Sequence, residues 1–161
     1  MDLIIRRARL RQEDRLVDIG IRNSKFKEIS PKINSKAKLE IDAEGNLVSP
    51  PFVESHVHLD SALNAGNPRD NQSGTLLEAI EIWGERKEAL TKDSIKKNAM
   101  TTVKWLISNG VLRIRSHTDS TEKNLMTFEA LLEVKEEMKE YVDIQIVAFP
   151  QDGIFSYDGM D

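Results

Sequence analysis

The sequence contains no cysteine, so it can build no disulfide framework, no thiolate-bound zinc and no cysteine nucleophile. Any metal must therefore sit among histidine, aspartate and glutamate. Apolar runs of about 18 residues, the minimum for a membrane helix, are absent. Met1 to Leu10 carries three arginines where a secretory signal would be uninterrupted apolar chain, so the expected address is cytoplasmic. An excess of positive charge is missing too. Lys and Arg total 23 against 27 Asp and Glu, a net charge of −4, which offers no footprint for nucleic acid or for an anionic membrane. A small neutral ligand suits that balance better. The length of 161 residues is also short of the roughly 250 of a complete (β/α)₈ barrel. What is present is a globular composition, 39% hydrophobic and 31% charged, sufficient for a packed core.

Residues 1–49 read as a small β region: Leu3 to Ile5, then Val17, Ile19 and Ile21 alternating with polar neighbours, then Phe26 to Ile29, then Leu39 and Ile41. Turn chemistry separates them at Gln12-Glu13-Asp14, Ser30-Pro31 and Glu44-Gly45-Asn46, and hairpins are expected. Pro50-Pro51 cannot supply ladder N–H groups and opens a new strand over Phe52 to His58. From there the rhythm becomes helical. Leu76, Leu77, Ile80 and Trp83 recur at helical spacing between Gly74 and Ala89, and Ile95, Ala99, Val103 and Leu106 mark the inner face of a second helix from Thr91. Asn109-Gly110 is a left-handed stop. A strand over Val111 to Arg115, a helix over Leu125 to Tyr141 with Phe128, Leu132 and Met138 on one stripe, and a strand over Ile144 to Phe149 complete an α/β pattern. Alternating strands and helices predict parallel pairing, with the C-terminal strand ends gathered on one edge, where functional polar residues are expected. Trp83 and Trp105 are expected in the core.

All three histidines fall at or just past strand ends on that side. His56 and His58, two residues apart on a strand, project to one face and can present two imidazoles to a single ion, with Glu54 and Asp60 nearby to fix their second nitrogens. A surface or core coincidence is the alternative. His117, in Arg115-Ser116-His117-Thr118-Asp119, reads either as a pocket residue or as a hydrogen-bonded structural histidine; Asp119 shares that segment as a pocket candidate. Gln151 follows the third strand in Pro150-Gln151-Asp152-Gly153, and its carboxamide offers a donor and an acceptor to a pyrimidine or other cyclic amide, although a turn glutamine is ordinarily just solvated. Arg69, Asp70, Asn71 and Gln72 read most simply as a solvated loop with a helix cap. The run Glu133 to Glu140 reads as a wet helix face.

The string Pro50-Pro51-Phe52-Val53-Glu54-Ser55-His56-Val57-His58-Leu59-Asp60 resembles the first-strand motif of the amidohydrolase superfamily. Asn71-Gln72-Ser73-Gly74-Thr75-Leu76, Trp83 to Lys87, Arg115 to Asp119 and Ile144 to Ile154 are similar, in order, to cytosine deaminases of the bacterial type, the likeness running from Leu3 to Tyr157. Pro51 stands where that family often has glycine.

This resemblance implies a β-sandwich portion over residues 1–49, followed over 50–161 by the first three βα units of a TIM-like (β/α)₈ barrel. It implies a divalent metal, iron or zinc, held by His56 and His58, with Gln151 on a pyrimidine-like substrate. The implied reaction is hydrolytic deamination of cytosine to uracil and ammonia, in which metal-acidified water attacks the amino-bearing carbon and a carboxylate carries protons to the leaving group. The family's further histidine, late aspartate and acid/base glutamate are expected beyond Asp161, so no catalytic residue is assigned within the chain. The chain alone is expected to be inactive, and either to self-associate or to be completed by a C-terminal segment. Two alternatives stand beside this reading: a hydrolase of another cyclic amidine or amide, such as isocytosine, creatinine or a triazine, and a non-catalytic remnant acting as an association module. The unrelated cytidine deaminase chemistry is excluded, because its zinc site needs cysteine.

Overall fold

The computed structural model describes residues 1–121 and 124–155. Tyr157 and the end of the expected barrel region lie outside the described residues. The chain divides into two compact units, Met1–Pro50 and the residues from Pro51 onward.

The first unit is a four-stranded sheet of β1 (Leu3–Ala8), β2 (Val17–Arg22), β3 (Lys25–Ser30) and β4 (Leu39–Asp42), in the order β3-β2-β1-β4. The expected hairpins form between β1 and β2 and between β2 and β3. Asn23 and Ser24 both take positive φ, 51° and 57°, the geometry that suits a tight turn between twisted strands. β4 departs from the hairpin rule: it lies parallel to β1, with Ile33 buried in the connection that carries the chain across. Ile4, Ala8, Val17 and Ile19 are buried. So is Asp18, whose carboxylate accepts from Arg6 Nη1 at 2.8 Å and from the N–H groups of Arg7 and Ile33 at 3.1 and 3.0 Å. Those donors outweigh the cost of burial and hold its pKa below the ordinary carboxylate value.

The second unit runs β5 (Phe52–Val57), α1 (Leu76–Lys87), α2 (Lys92–Ser108), β6 (Val111–Asp119), α3 (Met126–Met138) and β7 (Asp143–Phe149). Its sheet is parallel throughout, in the order β5-β6-β7, so the three C-terminal strand ends share one edge. Ile95, Ala99 and Val103 of α2 and Ala130, Leu131, Val134 and Met138 of α3 bury against Ile114 and Ile144 of the sheet. The local signals explain the ends of α2. Thr91 and Ser94 form a reciprocal capping box, and Gly110, at φ +82°, terminates the helix where a side chain would be strained. Among the described residues, no helix is long and apolar enough to cross a membrane.

Three expectations are corrected. β6 runs on to Asp119 instead of stopping at Arg115, because β7 pairs with it in register as far as Phe149; His117 and Asp119 therefore lie inside the strand. The buried stripe of α3 is Thr127, Ala130/Leu131, Val134 and Met138, which leaves Leu132 55% exposed. Small Thr127 and Ala130 let the helix approach the sheet on that side. Trp105 is 57% exposed, since it lies opposite the Ile95-Ala99-Val103 stripe, whereas Trp83 is half-buried against the core.

Candidate active site

Beyond the C-terminal edge of the parallel sheet lies a cavity of about 520 Å³. Its floor carries His58 and Asp60 from the end of β5, Asp119 from β6 and Gln151 from the turn after β7. Its wall is α1: Leu76, Ala79, Ile80 and Trp83, spaced i, i+3, i+4 and i+7, all line it. The apolar stripe of α1 thus faces a cavity and not the core, and no α1 residue is fully buried. The 61–71 segment closes the remaining side with Asn64, Arg69 and Asn71.

That segment is built, not merely solvated. Arg69 donates to Glu78 at 2.8 Å and to Glu85 at 3.0 Å, Gly74 N–H donates to Asn71 Oδ1 at 2.7 Å, and Asn71 Nδ2 returns a bond to the Thr75 carbonyl at 2.9 Å. Ser73 through its side chain and its N–H, then Gln72 N–H and Arg69, lower the pKa of Glu78 to about 2. Thr75 caps α1 by accepting from Glu78 N–H.

The three imidazoles cluster. The rings of His56 and His58 have centroids 5.4 Å apart and planes inclined at 55°. His117 stacks on His56 at 3.9 Å and 18°; two nearly parallel planes meet only far from both rings, so those two cannot share an ion. Burial, followed by the neighbouring His56, lowers the pKa of both His58 and His117, which favours neutral rings. No group of three His, Asp or Glu arranged to hold a metal occurs among the described residues. His58 lines the cavity, whereas exposed His56 and half-buried His117 stand beside it; the Nδ1 of His117 is buried with no hydrogen-bond partner.

Asp119 is on the cavity wall, but its carboxylate is saturated. Oδ2 accepts from Trp83 Nε1 at 3.1 Å and Lys87 Nζ at 3.0 Å, while Oδ1 accepts from the N–H of Thr121 at 2.9 Å and from its hydroxyl. These donors outweigh burial and keep its pKa low, which suits an anchor better than a proton carrier. Asp60 differs: burial pushes it up to about 6, only partly offset by the N–H groups of Asp119 and Ser61. Trp83, Lys87, Asn64 and the Arg69 segment were not marked as site residues by sequence reasoning. The stripe on α1 was legible, but not what it faces.

The parallel βα edge thus carries a His-x-His pair beside a walled cavity, in a mixed α/β fold. The Amidohydrolase family model matches residues 39–161, and the chain belongs to that family. Its members are hydrolases that use a divalent metal. The chain is 38% identical over 159 residues to N-isopropylammelide isopropyl amidohydrolase of Pseudomonas sp. (strain ADP), covering 96% of this chain and 40% of that one. Among solved structures it is similar to 5-methylcytosine deaminase from Klebsiella pneumoniae, liganded with 5-fluorocytosine: 40% identity, TM-score 0.90, 98% of this chain and 38% of that chain. It is also similar to N-isopropylammelide isopropylaminohydrolase from Burkholderia multivorans at 26% identity and TM-score 0.79, covering 98% of this chain and 40% of that chain. The chain therefore spans about two fifths of the length of these relatives.

Proposed function

We propose that the chain is the N-terminal part of a metal-dependent deaminase of pyrimidine-type cyclic amidines, with cytosine the preferred substrate, uracil and ammonia the products. The observation that carries this reading is the meeting of His58 and Gln151 on one cavity walled by the apolar stripe of α1. The similarity to a cytosine-analogue-bound deaminase supports it. In the longer protein, residues 1–49 belong to a β-sandwich and β5, β6 and β7 are the first three strands of a (β/α)₈ barrel, whose remaining strands, or a second copy of the chain, cover the open sheet edges.

His56 and His58 would hold the metal, iron or zinc. When bound, such an ion acidifies the water that attacks. The chain's own residues bind and orient. The Gln151 carboxamide reads the donor and acceptor edge of the heterocycle, and Leu76, Ile80 and Trp83 cover the ring and exclude bulk water. In the overall reaction the bond to the exocyclic amine breaks, a carbonyl forms from water's oxygen, one of water's protons leaves with ammonia and the other stays on a ring nitrogen.

The test is metal analysis and ammonia release from cytosine in the full-length protein. Turnover is expected, and His56→Ala or His58→Ala should lower metal affinity by at least about tenfold. A full-length protein that is metal-free and inert toward cytosine overturns the proposal. The similarity to two isopropylammelide hydrolases favours a second reading, hydrolysis of an N-alkylated triazine; faster turnover of such a triazine, isocytosine or creatinine than of cytosine would replace the substrate and keep the chemistry. Inertness with concentration-dependent light scattering would favour the association module instead.

A further inference from the structure

Among the described residues, α1 packs its backbone against no other helix or strand, and Trp83 is its contribution to the hydrophobic core. What ties it down is polar. Lys87, the last residue of α1, places its ammonium 3.0 Å from Asp119 at the end of β6, 2.7 Å from Asp152 in the turn after β7, and 3.3 Å from the Thr121 hydroxyl. The Thr121 hydroxyl oxygen, whose proton goes to Asp119, also lies 3.0 Å from Asp152 Oδ2. The Asp119 N–H continues the chain of bonds to Asp60 at 2.8 Å, two residues beyond His58. One ammonium therefore joins the α1 wall of the cavity to the end of β6 and to the turn after β7, and one of its partners, Asp152, adjoins Gln151. The Lys87 side chain is only 16% exposed, and its charge is held between two carboxylates that together outweigh the cost of burial and raise its pKa.

We propose that Lys87 is a positioning residue: its bridge between Asp119 and Asp152 latches α1 to the β7 turn and sets the distance across the cavity between the α1 wall and the Gln151 amide. It touches no substrate itself. The inference rests on the proposed substrate role of Gln151 for its kinetic consequence, but the latch can be read without any substrate. Breaking it leaves the Asp152 side of the turn without its ammonium, so the turn and the end of α1 lose a shared restraint while α2 and α3 keep theirs.

The experiment is amide hydrogen exchange on the full-length protein together with steady-state kinetics on cytosine. In Lys87→Met, exchange over residues 150–155 should quicken by about tenfold while α2 and α3 are unchanged, and KM should rise by about tenfold with kcat within about twofold. Lys87→Arg, which can span both carboxylates, should restore both. Asp152→Asn, which keeps the buried Lys87–Asp119 pair, should reproduce the exchange effect if Lys87→Met fails to fold. Unchanged exchange over 150–155 in the variants that fold overturns the latch, as does a Lys87→Met loss confined to kcat that Lys87→Arg does not repair. Quickened exchange in a protein inert toward every cyclic amidine would remove the functional reading and keep the latch.

Discussion

α1 and α2 look alike as sequence and do opposite things in the fold. Each begins at a threonine cap and carries apolar residues at helical spacing. α2 buries Ile95, Ala99 and Val103 under the sheet, whereas α1 buries nothing fully and lends its stripe to a cavity wall. The difference teaches that periodicity identifies a face without identifying what meets it. A helix that follows a strand by a long loop, as α1 follows β5 after residues 58–75, can stand off the sheet edge and become part of a site.

The contrast is sharpest in packing. Ile95→Ala in α2 should cost about 2–5 kcal/mol, read as a lower denaturant midpoint, while Leu77→Ala, at a position 75% exposed on α1, should change stability by less than about 0.5 kcal/mol. Equal losses at both would break the comparison. Next in size is the polar tether. Trp83→Phe removes the indole donor from buried Asp119 and should cost about 1–2 kcal/mol, measurable by the same unfolding curve.

Gly84 offers a gain. It sits inside α1 with nothing near the place a methyl group would occupy, so Gly84→Ala should stabilise by about 0.5–1 kcal/mol through helix propensity, seen as a higher midpoint. A loss would mean that the outer side of α1 is covered.

The smallest effect is electrostatic. On α3, Lys92 and Lys96 of α2 lower the pKa of Glu133 to about 2, from an ordinary value near 4.5. A carboxylate whose folded pKa is depressed adds stability above its unfolded value and loses it as pH falls through the folded one. The contribution should therefore be present at pH 5 and above and decline between about 4.5 and 2. Thermal melts of Glu133→Gln should show a shallower loss over that window. Because the pair is exposed, added salt should shrink the difference.

Much of this was legible beforehand for a physical reason. The presence of three strands from Phe52 onward, the stop at Asn109-Gly110 and the helix start near Thr91 depend on near neighbours, and all three are found, with β6 longer than expected. Asp119 marks where legibility stopped. Its segment read as a strand end, but whether its carboxylate was free for chemistry depended on Trp83, Lys87 and Thr121, two of them more than 30 residues away. The α3 stripe was misplaced for a related reason: the apolar pattern favoured Leu132, but close packing selected small Thr127 and Ala130. The run Glu133 to Glu140 reads as a wet face and its charged residues are exposed; what the sequence does not show is that Glu133 and Glu137 pair with lysines of α2.

The sequence by itself determined what acts over one or two turns of chain: where most elements begin and end, the two imidazoles at the end of one strand, and a composition that leaves metal chemistry to histidine and carboxylates. The tertiary structure alone decided which distant groups meet. Parallel strands carry their C-terminal ends to one edge whatever lies between them, so Lys87 reaches Asp152 across 65 positions and Asp60 reaches Asp119 across 59. Local propensity carries no information about those distances; the sheet order does.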